Sequence, residues 1–239
     1  MEKNAGRTLL IVAGVVSLVI WVIPAFRFIL WPLTLFNTFI HELSHAAMTV
    51  CTGGMVESIS INRTGSGVTL TLGGIGFLIA SAGYLGSAVV GGAVLALART
   101  RQSARVVCYV LCLVLVTSLV LVVRGDPVGW AVGLAWAAIL GVSSRIMPAP
   151  WLIFFTRFLG FQLALTALHS LSDLLIISTD GSQATDAANI QAMTGIPALA
   201  TSLVWALASL ACIGFAIHRA WKTETAEQGY SEPARATRP

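Results

Sequence analysis

The sequence predicts an all-α polytopic membrane protein with about seven transmembrane helices and one membrane-associated β-hairpin. Of its 239 residues, 56% are hydrophobic and 10% are charged, whereas a soluble globular domain carries about 25% charged residues. Several uninterrupted apolar stretches approach the roughly 20 residues that span a bilayer as a helix. One segment between them alternates apolar and polar residues, as β-strands do. We therefore expect one membrane domain, residues 1–218, followed by a polar and disordered tail, residues 219–239.

The apolar stretches follow one another with short connections. The first predicted span is Thr8–Ile23, and the second is Leu33–Cys51. The later predicted spans are Ile75–Ala98, Val106–Val123, Val128–Val142, Pro150–Ile177 and Ile196–Ile217. The third of the seven is rich in glycine, alanine and serine, which predicts a helix that packs closely against its neighbours.

A β-hairpin is predicted at about residues 53–74, directly after the second span. Apolar residues alternate there with serine and threonine on both sides of a turn-forming segment, residues 62–67, which is the pattern of two paired strands. A strand edge exposed to lipid would leave backbone groups without hydrogen-bond partners. The hairpin is therefore expected at the interface or against protein.

The charged residues give information on topology rather than on ligands. The formal net charge is only +4, and the basic residues lie in loops and in the tail, so nucleic-acid binding has little support. With seven spans, the loop containing Arg99, the loop containing Arg145 and the segment after His218 share one side. The positive-inside rule makes that side cytoplasmic and places the N-terminus outside.

The second span carries the residues with catalytic potential, His41, Glu42 and His45, which form an HExxH sequence. A four-residue step places both imidazoles on one face of a helix, where they can bind one Zn²⁺ ion, and Glu42 can act as a general base. An ionisable group at mid-bilayer costs about 2.5 to 3.5 kcal/mol. A metal site accounts for all three polar residues together.

A hydrolytic zinc site usually has three protein ligands and one open position, so a third ligand must come from elsewhere in the chain. Asp173 is the first choice, because it lies well inside an apolar stretch. Arg157 precedes it by the same number of residues as Arg27 precedes the HExxH centre. If both arginines mark the same interface, the two sites lie at equal depth. The remaining candidates are His169, Asp180 and Asp186. Asp180 and Asp186 lie in a polar segment, where a solvated loop, or a helix N-cap near Asp186, is favoured over a ligand role.

Several motifs resemble the M50 metallopeptidases, the site-2 protease class, and in particular their M50B-like branch. The resemblance covers most of the chain. It rests on FIHELSHA (Phe39–Ala46), SAGYLGSAVVGG (Ser81–Gly92), SLSD (Ser170–Asp173), TDA (Thr185–Ala187) and TGIP (Thr194–Pro197) followed by Trp205. The full site-2 protease signature NxxPxxxLDG is absent, and Asp173 matches the M50B-like pattern instead.

This resemblance implies a zinc-dependent intramembrane metallopeptidase that cleaves membrane-associated proteins or peptides. His41 and His45 would be zinc ligands, Glu42 the base, and an aspartate on a later helix the third ligand. A multi-pass location in the bacterial cell membrane is expected, with the lipid bilayer and a membrane-protein substrate as partners. The hairpin resembles the β-element that such proteases place beside the substrate path.

Two other functions fit the same residues. The first is a non-proteolytic M50B-like scaffold or chaperone that retains the zinc site. The second is a transporter in which Glu42, His169 and Asp173 form a proton or cation path, although no inverted repeat is apparent in the sequence.

Overall fold

The protein is described here by a computed structural model that covers residues 5–23, 27–165 and 185–231. The elements, in chain order, are α1 (Ala5–Val22), α2 (Arg27–Cys51), β1 (Met55–Ile61), β2 (Gly67–Leu72), α3 (Gly76–Leu97), α4 (Arg101–Leu121), α5 (Pro127–Ile146), α6 (Ala149–Ala164), α7 (Asp186–Thr194) and α8 (Ala198–Ser231).

Among the described residues, four helices are long and apolar enough to cross a membrane: α3, α4, α5 and the Ala198–Lys222 part of α8. The predicted helical membrane architecture is therefore confirmed in outline, but the count of seven spans is not. α8 continues through Ser231, into the segment predicted as a polar tail. His169, Asp173 and Asp180 lie outside the described residues.

Helix α3 packs at the centre of the bundle, between α2, α6 and α8. Its glycines make this possible, because a Cβ at Gly91 would lie 2.5 Å from both the Gly160 carbonyl oxygen and the Ala164 amide nitrogen. A Cβ at Gly92 would lie 2.8 Å from the Cys212 sulfur of α8. The small residues thus allow backbones to approach closely, as in other membrane helix pairs.

The predicted hairpin is confirmed as a two-stranded antiparallel sheet, β1 with β2, in which Ile59 lies opposite Thr69. Its turn contains Gly65, whose φ of 96° lies in the left-handed region that glycine adopts readily. The hairpin lies along α2, because the Thr38 hydroxyl donates to the Gly65 carbonyl at 2.6 Å and the Trp31 indole donates to the Arg63 carbonyl at 2.7 Å. The hairpin is therefore part of the protein core and not a free loop.

The outer edge of β1 is satisfied by the loop between α4 and α5. The Ile59 amide donates to the Val122 carbonyl at 2.8 Å, and the Ile61 amide donates to Asp126 Oδ2 at 2.6 Å. Asp126 also caps α5 through the Val128 amide. These contacts cover the edge of β1, as is required of a strand edge within a membrane protein.

The start of α1 and the last part of α8 lie at the same end of the bundle. The Arg7 guanidinium lies over the Trp221 ring, 4.6 Å from its centroid, so the start of α1 meets the last part of α8. Arg157 is fully buried and donates to the Gly6 and Ala98 carbonyls, which adds the end of α3 to the same region. An odd number of membrane crossings would separate the start of α1 from the last part of α8, so the contact favours an even number.

Both termini are therefore expected in the cytoplasm, because the basic residues collect at this end of the bundle. Reporter proteins fused to either end should both be active on the cytoplasmic side. In a variant without native cysteines, Gly125→Cys, in the loop between α4 and α5, should react with a membrane-impermeant thiol reagent from outside. Reporters active on opposite sides would contradict this topology and restore the seven-span arrangement.

Candidate metal centre

The two histidines of α2 lie one turn apart on the same helix face, as their spacing predicted. Their Nε2 atoms are 3.0 Å apart, and their rings meet edge to face with centroids 4.6 Å apart. Both side chains are largely buried, with 12% of His41 and 8% of His45 exposed. Two nitrogen donors therefore converge on one buried point.

Asp186 supplies a third donor atom at the same point. Its Oδ2 lies 3.0 Å from His41 Nε2 and 3.2 Å from His45 Nε2. Asp186 is the first residue of α7, and the preceding Thr185 caps this helix by accepting from the Ala188 amide. Ala187 and Ile190 are fully buried in a cluster with Trp205. The cap and this packing fix the first turn of α7 and with it the carboxylate.

The three donor atoms fit a small tetrahedral cation. Ligands at about 2.0 to 2.1 Å from one tetrahedral zinc ion lie about 3.3 Å from each other. The observed separations, 3.0 to 3.2 Å, are close to that spacing. Imidazole nitrogens and a carboxylate oxygen are also the donor types that zinc binds in hydrolytic sites. His41, His45 and Asp186 are accordingly the group that could hold a metal ion in the described part of the chain.

Hydrogen bonds orient His45 and keep the Asp186 carboxylate ionised at this site. His45 Nδ1 lies 2.6 Å from the Ile79 carbonyl oxygen and donates to it, which directs Nε2 toward the metal position. Burial raises the pKa of the Asp186 carboxyl. The hydrogen bonds with His41 and His45, together with the charge of these two histidines, lower that pKa by more than burial raises it, so the net pKa lies well below the usual range. The carboxylate is therefore ionised, as a ligand must be.

Tyr84 packs against His41, and Trp205 packs in turn against Tyr84. The Tyr84 ring meets the His41 ring edge to face, with centroids 4.5 Å apart. Trp205 stacks on Tyr84 at a centroid distance of 5.1 Å, and only 3% of Trp205 is exposed. These contacts restrict the rotation of the His41 ring. A metal ligand must be held in a fixed orientation in this way.

Glu42, the predicted base, is held by the hairpin. Its Oε2 accepts from the Thr69 hydroxyl at 2.6 Å, and 4% of the residue is exposed. A Cβ at position 67 would lie 2.6 Å from Oε1, so Gly67 of β2 leaves the room that the carboxylate occupies. The hairpin therefore fixes the orientation of Glu42 next to the two histidines.

Comparison of the sequence with models of known protein families gives a match over most of the chain. The family model described as Peptidase M50B-like matches residues 11–216, which includes the metal centre and most of the bundle. The chain belongs to the Peptidase M50B-like family. No curated protein and no solved structure matches this M50B-like chain.

The family match confirms the resemblance inferred from the motifs and does not test the choice of third ligand. The structure brings Asp186, one of the alternatives, into contact with both histidines, whereas Asp173 lies outside the described residues. The depth argument for Asp173 assumed an arginine exposed at the interface, whereas Arg157 is fully buried and bonded to backbone carbonyls. A sequence signal for Asp186 did exist, since it lies in a TDA motif that begins a capped helix.

The position of Thr69 near the base was not predicted, because the alternation of residues 55–72 gives the strands but not their packing partner. Only the packing of β2 against α2 brings the Thr69 hydroxyl within hydrogen-bond distance of the Glu42 carboxylate. No local pattern in this M50B-like sequence predicts the contact between Thr69 and Glu42.

Gly83 of α3 should tolerate no side chain. A Cβ there would lie 2.5 Å from Nε2 of both His41 and His45, far closer than van der Waals contact. We expect Gly83→Ala to lower zinc affinity at least about tenfold, because a supporting residue near a metal site is worth about 10- to 100-fold. The measurement is zinc content after dialysis against a graded series of zinc buffers.

Gly141→Ala is the matched control for this prediction, since a Cβ at Gly141 of α5 meets nothing within 4 Å. It should bind zinc as wild type does. If Gly83→Ala bound zinc as tightly as Gly141→Ala and wild type do, α3 would not constrain the histidines.

Removing the Thr69 hydroxyl should slow hydrolysis without loss of the metal. Thr69→Val keeps the shape of the side chain but deletes the donor to Glu42. Because a hydrogen bond to a charged group contributes about 1.5 to 3 kcal/mol, kcat should fall about tenfold or more. Thr69→Ser should restore most of the activity, and zinc content should be equal in all three proteins. An unchanged kcat in Thr69→Val would show that the base does not depend on the hairpin.

Proposed function

We propose that this M50B-like protein is a zinc-dependent intramembrane metallopeptidase. The convergence of His41, His45 and Asp186 within 3.2 Å of one another, directly beside the buried Glu42, carries the proposal. An HExxH helix supplies two ligands and a base in one turn, and α7 adds the third ligand. His41, His45 and Asp186 would hold the metal.

When bound, zinc supplies Lewis acidity, which lowers the pKa of a water molecule and polarises a peptide carbonyl. Glu42 accepts the proton of the attacking water and then returns it to the leaving amine. Thr69 holds one carboxylate oxygen of Glu42, which leaves the other free for this proton transfer. Burial of the site limits water access to the reacting groups.

The free edge of β2 is the proposed docking site for the substrate backbone. The Ile59 and Ile61 amides point away from β2, toward the loop between α4 and α5. In an antiparallel pair, residues opposite such positions also direct their backbone groups outward. Thr69, opposite Ile59, therefore offers its amide and carbonyl at the other edge, and the described sheet has no third strand there.

A substrate strand that pairs with Thr69 would pass beside Glu42, because the same residue holds both. This is β-strand addition, in which main-chain hydrogen bonds supply affinity. A helical membrane substrate must unwind before it can pair in this way. Substrates with glycine or proline near the cleavage point are therefore expected to be cleaved faster.

The proposal is tested by reconstituting the full chain in liposomes with a fluorogenic substrate that contains one membrane helix. Cleavage should stop when a zinc chelator is added and return when zinc is restored. Ion flux is measured in the same liposomes. Zinc binding without cleavage of a panel of such substrates would favour the scaffold, and chelator-insensitive ion flux without cleavage would favour the transporter.

A further inference from the structure

A groove lies on the side of the hairpin turn that faces α5, apart from the metal centre. Its volume is about 360 Å³, at the lower end of the range for ligand pockets, about 300 to 1,000 Å³. Leu35 of α2 and Val128, Ala131 and Val132 of α5 form its walls, with Trp31 and Arg63 also lining it. We refer to this feature as the α2–α5 groove.

One cation lies at the α2–α5 groove. Arg63 belongs to the hairpin turn and is exposed, and its guanidinium has no hydrogen bond or ion pair with the rest of the described chain. Its carbonyl, in contrast, is fixed by the Trp31 indole, so the residue is held in place by its backbone. An apolar groove with one unpaired cation is complementary to a ligand that has an apolar tail and an anionic group.

The position of the groove along α5 agrees with such a ligand. Pro127 is the first residue of α5, which is a candidate membrane span, so it lies at a membrane–water interface. Val128, Ala131 and Val132 lie within the next two turns toward the bilayer centre, about 8 Å at 1.5 Å per residue. The exposed indole of Trp31 is typical of the interface level. The groove therefore runs from headgroup depth into the acyl-chain region.

We infer that the α2–α5 groove binds an anionic phospholipid of the surrounding bilayer. One acyl chain lies along Leu35 and the first turns of α5, and the phosphate group pairs with Arg63. Arginine is suited to this role, because its planar guanidinium donates two parallel hydrogen bonds to phosphate oxygens. The lipid would contact the turn that joins β1 to β2 and would brace the hairpin from the lipid side.

The test is lipid retention in native mass spectrometry of the full chain, with phosphatidylglycerol and phosphatidylcholine of the same acyl chains. Wild type should retain phosphatidylglycerol about fivefold more strongly, since one basic residue near an anionic headgroup contributes about that factor. Arg63→Gln should remove the preference. Ala131→Phe should lower retention of both lipids, because the ring fills the groove.

Two matched variants keep the proposal falsifiable. Arg124→Gln removes an exposed cation of the loop between α4 and α5 that does not line the groove, and Ala138→Phe adds a ring two turns further along α5. Both should behave as wild type. No preference in wild type, equal loss of preference in Arg63→Gln and Arg124→Gln, or equal loss of retention in the two phenylalanine variants would each overturn the proposal. Thermal unfolding temperatures verify that every variant is folded.

Discussion

Glu42→Gln is expected to abolish hydrolysis while the protein keeps its zinc. The amide cannot accept the proton of the attacking water, and loss of a general base lowers a rate by about 10²- to 10⁴-fold. Glutamine has nearly the same size as glutamate and still accepts a hydrogen bond from Thr69, so the packing against the hairpin is retained. The measurement pairs single-turnover cleavage of a membrane-helix substrate with zinc content.

Glu57→Gln is the matched control, because Glu57 is exposed on β1. This substitution removes one negative charge, as Glu42→Gln does, but away from the metal centre. It should cleave at the wild-type rate. Substantial cleavage by Glu42→Gln would remove Glu42 from the mechanism. Loss of zinc from that variant would instead give Glu42 a role in metal binding.

Asp186→Ala is expected to lose zinc more severely than Asp173→Ala. The Asp186 carboxylate contacts both imidazoles, and loss of a direct ligand exceeds the 10- to 100-fold effect of a supporting residue. We therefore expect an affinity loss of at least about 100-fold for Asp186→Ala. Zinc titration by competition with a chromophoric chelator measures both variants on one scale.

Asp186→Asn separates ligation from helix capping, since asparagine also fits the first turn of α7 but carries no charge. It should lose zinc while its thermal unfolding temperature stays near that of wild type. Zinc retention by Asp186→Asn together with zinc loss in Asp173→Ala would contradict the assignment and return Asp173 to the site.

The membrane class and the hairpin could be predicted because each depends on local composition or periodicity. A helix needs about 20 apolar residues to cross a bilayer, and strands alternate with a period of two. The number of crossings could not be predicted in the same way. The contact of Arg7 with Trp221 joins the start of α1 to the last part of α8 and favours an even number of crossings, and seven crossings are not confirmed.

Arg157 shows why a single charge is an ambiguous signal. In the sequence it resembles an interface marker, since arginine inside a membrane is costly. In the fold it is fully buried, and carbonyls from α1 and α3 satisfy its guanidinium. Burial of this kind depends on three helices that meet in space, which the sequence around position 157 does not describe.

The sequence by itself determined the first half of the metal centre. His41, Glu42 and His45 occupy their places because an α-helix has 3.6 residues per turn, so four-residue spacing is enough to align two imidazoles. Tertiary structure alone decided the rest. Asp186 reaches His41 across 145 positions of sequence, and Thr69 reaches Glu42 through the docking of β2 on α2. Such contacts depend on how helices and strands pack, and packing distance is not encoded in any local spacing.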